Sequence, residues 1–153
     1  PSRKAVFPRV KKIDRESGSF EMTGLFVSGK HQSGSVPVSL TDIISKKLAV
    51  SAADKAVLKG KIRSAVTTIH NAGFVHRDLS ANNILFHIGL DSELGVFVAD
   101  FGLSARIGEE APPSGGTPGY SSTNQRNGGI ARVEDDAFSL EKLFREIDRL
   151  PSP

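Results

Sequence analysis

Between Ser51 and Asn71 the apolar residues Leu58, Ile62, Ala65, Val66 and Ile69 recur at helical spacing, and no other feature limits the fold as much. Ser51 is placed to cap the start of that helix, with Asp54 three residues on, and Gly73 is a natural residue just past its end. Two further helices are read the same way. Ser39 opens a short one, with Asp42 as a partial capping box and Ile43, Ile44 and Leu48 on its inner side. The last runs from about Glu134 to Leu150 and places Ala137, Leu140, Leu143, Phe144, Ile147 and Leu150 on one face, with Pro151 as its stop.

The remaining segments read as strands and loops. Phe20 to Val27 predicts a strand after the turn signal Ser17-Gly18-Ser19, and Ser28 to Ser35 a Ser- and Gly-rich loop. After the long helix come Phe74-Val75 and a polar cluster, His76 to Asn83. Ile84 to Ile88 and Val96 to Ala99 then form two apolar runs around a turn-rich stretch, Gly89 to Gly95, which reads as a hairpin. Asp100 to Gly129 is rich in Gly, Pro and Ser and has no periodicity. A loop of that length inside a compact domain is usually functional.

Composition narrows the class. The chain has 153 residues, 38% hydrophobic and 24% charged, which suits one globular domain. No stretch approaches the roughly 20 apolar residues of a membrane helix, and Pro1-Ser2-Arg3-Lys4 leads into no signal-peptide core. Cysteine is absent, so disulfides and thiolate chemistry are excluded, and an intracellular place, cytoplasmic or nuclear, is expected. Arg3, Lys4, Arg9, Lys11, Lys12 and Arg15 crowd the start of a chain with formal charge +3. Without interleaved aromatics these charges read as a solvated strand face, and no nucleic-acid partner and no membrane are expected.

Asp78, Asn83 and Asp100 carry the chemistry. The first two share one short loop, and Asp100 stands at the exit of the following hairpin, which returns the chain close to where it began. Carboxylate and amide oxygens suit a hard cation such as Mg²⁺, with positions left for phosphate oxygens and water. A carboxylate beside such a site can also take a proton from an attacking hydroxyl.

His76-Arg77-Asp78-Leu79-Ser80-Ala81-Asn82-Asn83-Ile84-Leu85 resembles the protein-kinase catalytic loop, and Asp100-Phe101-Gly102 resembles the metal-binding motif of that family. Gly116-Thr117-Pro118-Gly119-Tyr120 is similar to the end of the activation segment, and Asp136-Ala137-Phe138-Ser139-Leu140 to the start of the helix buried beneath the catalytic loop. The resemblance implies an α+β, protein-kinase-like fold, mainly the helical large lobe. Residues 1–38 would be the end of the small lobe and the hinge, and residues 39–153 a truncated large lobe. It implies a kinase transferring phosphoryl from Mg²⁺-ATP to a protein Ser or Thr hydroxyl. Asp78 would be the catalytic base, Thr117 would help position the acceptor, and Ser80 is grouped with them as a catalytic position. Asn83 and Asp100 would hold Mg²⁺, and Leu85 would form part of the adenine floor. Asp136 would anchor the loop backbone, Arg77 would reach toward the activation segment, Phe101 would set the active or inactive state by its packing, and His76 would be a packed, backbone-bonding residue.

The sequence departs from the pattern in places. Ser80 stands where serine/threonine kinases carry Lys, although atypical RIO-type kinases have Ser there. The Ala-Pro-Glu motif is replaced by a run ending Ser122-Thr123-Asn124 before Asp135-Asp136, which is more similar to the casein-kinase group. No Gly-rich loop or Val-Ala-x-Lys is present, and the helices that follow the buried one are missing. The face Leu140, Leu143, Phe144 and Ile147 is therefore expected to be only partly covered. A pseudokinase serving as a binding or scaffolding protein, a small-molecule phosphotransferase, and a helical domain without activity stand as alternatives.

Overall fold

Strand β1 (Val10–Asp14) pairs antiparallel with β2 (Ser19–Met22), with an irregularity between Val10 and Lys12. The computed structural model describes the backbone of residues 10–14, 19–22, 38–88 and 94–153, and side chains within 39–86 and 95–153. Of the strand expected from Phe20 to Val27, the part to Met22 is observed, and the rest lies outside the described residues. So do the Ser28 to Ser35 loop, the hairpin turn at 89–93 and the side chains of the amino-terminal basic cluster.

β3 (Val38–Ser39) runs directly into α1 (Leu40–Ser45). The capping box is complete: Ser39 Oγ accepts from Asp42 N–H, and Asp42 Oδ2 accepts from Ser39 N–H, both at 3.1 Å. Donation from the Ser39 backbone N–H, followed by the Ser39 hydroxyl, holds the Asp42 carboxyl below its ordinary range. Ile43 and Ile44 pack against the core as expected, but Leu48 is exposed. The helix ends at Ser45, and Lys47, at φ +50°, turns the chain before Leu48 can point inward.

α2 (Ala52–Asn71) buries all five stripe residues, Leu58, Ile62, Ala65, Val66 and Ile69. Ser51 Oγ caps it through Asp54 N–H at 3.1 Å. Gly73, at φ +92°, turns the chain out of the helix, a conformation that costs glycine little. The chain then forms β4 (Phe74–Val75), the polar loop, β5 (Ile84–Ile88) and β6 (Leu94–Val98). β5 pairs antiparallel with both β3 and β6, in the order β3-β5-β6.

The segment after β6 is more structured than its composition predicts. It holds β7 (Ala105–Arg106), β8 (Glu110–Ala111), α3 (Thr123–Asn127) and β9 (Gly129–Ile130). β7 pairs with β4, and β8 with β9, so the long segment is pinned at two points.

α4 (Val133–Asp148) packs on α2 and ends before Pro151. Leu143 and Ile147 are 0% exposed, and Leu140 and Phe144 are partly buried against the same core. Among the described residues α2 covers Leu143 and Ile147 fully and leaves Leu140 and Phe144 half-buried, so the face is covered more completely at its centre than at its edges. Lys55 Nζ closes the corner by donating to Leu150 O at 2.5 Å. Ala137 is exposed rather than buried. The inward stripe of α4 begins with polar residues, Asp136 and Ser139, and continues through Leu143 and Ile147, which leaves Ala137 off it.

Candidate active site

The polar loop is fixed through its backbone. Asp136, in the first turn of α4 and 0% exposed, accepts His76 N–H on Oδ2 at 2.8 Å and Arg77 N–H on Oδ1 at 2.9 Å. His70, near the end of α2, meets the same carboxylate through Nε2 at 2.8 Å. Arg77 sits at φ +69°, a left-handed conformation uncommon for a residue with a side chain. Its guanidinium donates to Leu103 O at 3.3 Å and Pro112 O at 2.7 Å, so it does reach the long segment after β6.

His76 is buried, and its imidazole hydrogen-bonds to backbone groups. Its Nε2 lies 2.9 Å from Ala99 O, and Nδ1 accepts Asp78 N–H at 3.1 Å, which fixes the proton on Nε2. Burial pushes this imidazole below its ordinary range, against the opposing pull of the Ala99 carbonyl and nearby carboxylates. The ring of Phe101 stands edge-on to His76, with centroids 4.9 Å apart.

Asp78 is half-buried and well held. Oδ1 accepts from Thr117 N–H at 3.1 Å and Thr117 Oγ1 at 3.0 Å. Asn83 Nδ2 donates to Asp78 O at 2.8 Å and to Oδ2 at 3.3 Å. Asp78, Asn83 and Thr117 are therefore brought together. Asp100 is tied in through the backbone: Ala99 N–H donates to Asn83 O at 2.8 Å, which sets Asp100 one residue beyond the Asn83 peptide. Asp100 itself is exposed, left-handed at φ +58°, and accepts Gly102 N–H on Oδ1 at 3.1 Å. Leu85 is half-buried and alternates with the buried Ile84 and Phe86, so it faces the opposite side of the β3-β5-β6 sheet. Ser80 points the other way: it is 1% exposed, and its Oγ has no partner among the described residues.

Two oxygens suit a hard cation. The Asn83 amide nitrogen is committed to Asp78, which turns its Oδ1 away from that residue, and Asp100 Oδ2 accepts no hydrogen bond among the described residues. A divalent ion bound by phosphate oxygens and water needs one or two such protein ligands, so the residues present fit it.

The residues that support this loop were not all legible in the sequence. Tyr120 donates to both carboxylate oxygens of Glu146, at 2.6 and 2.7 Å, and burial together with Glu146 pushes its hydroxyl well above the ordinary value. Asp135, buried beside Asp136, accepts from Ser122 Oγ at 2.6 Å and from Asn124 Nδ2 at 3.1 Å. Gln125, buried in α3, donates to Arg77 O. The motif ending in Tyr120, the run ending Ser122-Thr123-Asn124 and the paired Asp135-Asp136 were the signals for this group, and Gln125 and Glu146 had none.

The protein kinase domain family matches residues 26–144. Curated relatives include eukaryotic translation initiation factor 2-alpha kinase 1 of Plasmodium falciparum, 38% identical over 98 residues, covering 63% of this chain and 6% of that protein. Myosin light chain kinase A of Dictyostelium discoideum is 39% identical over 103 residues, 66% of this chain and 35% of that protein. Calcium/calmodulin-dependent protein kinase cmkB of Emericella nidulans is 41% identical over 85 residues, 53% of this chain and 21% of that protein. The chain belongs to the protein kinase family. It spans between 6% and 35% of the length of these relatives. No helix among the described residues is long and apolar enough to cross a membrane.

Proposed function

We propose that this chain carries the phosphoryl-transfer site of an ATP- and Mg²⁺-dependent protein kinase acting on Ser or Thr hydroxyls. The observation that carries the proposal is the Asp78 carboxylate, fixed from one side by Thr117 and from the other by Asn83. Catalysis of this type is positioning and charge stabilisation, and a carboxylate with both oxygens oriented is suited to receive the proton of an acceptor hydroxyl. Asn83 and Asp100 would hold Mg²⁺, which when bound neutralises charge on the phosphate oxygens. Leu85 would lie under the adenine. Thr117 would orient Asp78 and border the acceptor. Residues 39–153 are assigned to the large lobe, residues 1–38 to the end of the small lobe and the hinge, and the protein to the cell interior, where ATP is available.

One observation favours a second reading, a pseudokinase that binds without catalysis. Ser80 is turned inside and uncharged, and no basic side chain bonds to Asp78 among the described residues. Loss of a transition-state donor typically costs about 100- to 1,000-fold in rate.

Asp78→Asn and Asp100→Asn in the whole protein separate these readings, with Mg²⁺-ATP binding followed by calorimetry and phosphoryl transfer by radiolabel. Asp78→Asn is expected to lower turnover about 100- to 10,000-fold while nucleotide affinity holds. Asp100→Asn is expected to weaken both. Equal loss of affinity and turnover in Asp78→Asn would refute the role of Asp78. Wild-type protein that binds nucleotide without transfer would establish the pseudokinase.

A further inference from the structure

Gln125 is an unusual residue to find fully inside. It is 1% exposed, and its Oε1 has no hydrogen-bond partner among the described residues. An amide is retained in such a place at a cost unless one of its groups is needed. Its Nε2 donates to Arg77 O. The peptide units on the two sides of Arg77 are therefore gripped separately, the N–H by Asp136 Oδ1 at 2.9 Å and the carbonyl by Gln125. The residue held between them is the one at φ +69°, and Asp78 follows immediately.

The main chain of Gln125 faces the long segment after β6. Gln125 O accepts Ser114 N–H at 3.0 Å, and Gln125 N–H donates to Ser122 Oγ at 3.0 Å. Gly116 fits against the same place: a Cβ there would come within 3.1 Å of Ser121 Oγ, 3.2 Å of Gln125 Nε2 and 3.3 Å of Arg77 O. Thr117, the partner of Asp78, is the next residue. Gln125 thus bonds by its side chain to the peptide that aims Asp78 and by its main chain to Ser114, at the start of the segment that delivers Thr117 to it.

We propose that Gln125 is a positioning residue that couples the segment from Ser114 to Thr117 to the catalytic loop through the Arg77 carbonyl. Ser114 is tied to Gln125 O, Gln125 Nε2 to the Arg77 carbonyl, and the Arg77 guanidinium, which is 4% exposed, to the Leu103 and Pro112 carbonyls earlier in the same long stretch. The effect of this coupling on turnover rests on the assignment of Asp78 as the base.

The test uses Gln125→Met, which keeps the volume and loses the donor, and Gln125→Glu, in the whole protein. Misplacing a reacting group by about 1 Å costs about 100-fold in rate. Gln125→Met is expected to lower kcat about 10- to 100-fold, with KM for ATP and Tm unchanged, since the substitution also removes the orphaned Oε1. A buried Glu is held protonated by desolvation and in that form can donate to Arg77 O. Gln125→Glu should therefore retain turnover at lower pH and lose it as pH rises, a profile that wild type and Gln125→Met do not share. Hydrogen exchange gives a readout independent of activity: peptides spanning 76–83 and 114–119 should exchange faster in Gln125→Met, while α2 does not change. If wild type transfers no phosphoryl group, the kinase assignment fails, and the exchange pattern still decides the coupling. Unchanged exchange in both peptides, or a lowered Tm with faster exchange throughout, would overturn the proposal.

Discussion

Asp136→Ala removes the acceptor on which the polar loop hangs, at a side chain with no exposure. The His76 and Arg77 N–H groups, 2.8 and 2.9 Å from its oxygens, both lose their partner, and both residues are buried. A buried donor left unsatisfied costs about 1–3 kcal/mol, so the substitution is expected to cost about 2–6 kcal/mol. That is a large share of the roughly 5–15 kcal/mol that holds a domain folded. Asp136→Asn keeps one oxygen and turns an NH₂ toward the other donor, so it should cost about 1–3 kcal/mol. His70→Ala removes only the third partner, which is partly exposed, and should cost least. Urea unfolding followed by circular dichroism reads the order directly, as a fall in midpoint at constant slope. If Asp136→Ala stayed within about 0.5 kcal/mol of wild type, the range of a neutral surface change, the loop would not depend on these bonds and the backbone account of the site would be wrong.

Two further outcomes are expected. The His76 imidazole is held below its ordinary value of 6.5, chiefly by burial, so the unfolded chain takes up a proton there that the folded chain resists. Its contribution is full above about pH 6.5 and is lost as pH falls through the lowered folded value. The urea midpoint should decline on acidification through that window and decline less in His76→Asn; a midpoint that rises there contradicts the assignment. Leu143→Ala, beneath α2, should cost about 2–5 kcal/mol, whereas Ala137→Ser on the exposed side should stay within about 0.5 kcal/mol; reversal of that order in thermal unfolding would mean the face of α4 has been misplaced.

The long helix was legible because a helix buried on one side writes its partner into its own period, and each of its five stripe residues is inside. The capping box at Ser39 was legible because its partners lie three residues apart. Ala137 and Leu48 were misread for related reasons. Helical spacing was extended past the point where polar anchors take over the inward stripe in one case, and past a left-handed turn in the other. β7, β8 and β9 were invisible because two residues cannot establish a period. Their pairing is set by partners remote in sequence, such as Phe74 for Arg106.

The site divides along the same line. Asp78 and Asn83 were legible because one loop holds them and their side chains carry the oxygens that the proposed chemistry needs. Thr117 came only through the family resemblance, since nothing in its neighbours points to a carboxylate so far back in the chain. Gln125 gave no signal at all, because its partner is a carbonyl, a group that every residue has. The conformation of the loop is nevertheless decided by such bonds. Asp136 takes two of its N–H groups, Gln125 takes one of its carbonyls, and His76 reaches the Ala99 carbonyl across to the end of β6. The residues that name the chemistry and the residues that hold it in place are therefore different sets. A left-handed Arg77 persists because its peptide is held from both sides, as sparsely populated backbone conformations must be when the surrounding structure over-determines them. Substitution at Gln125 or Asp136 is accordingly expected to alter turnover without removing any group that touches the transferred phosphate.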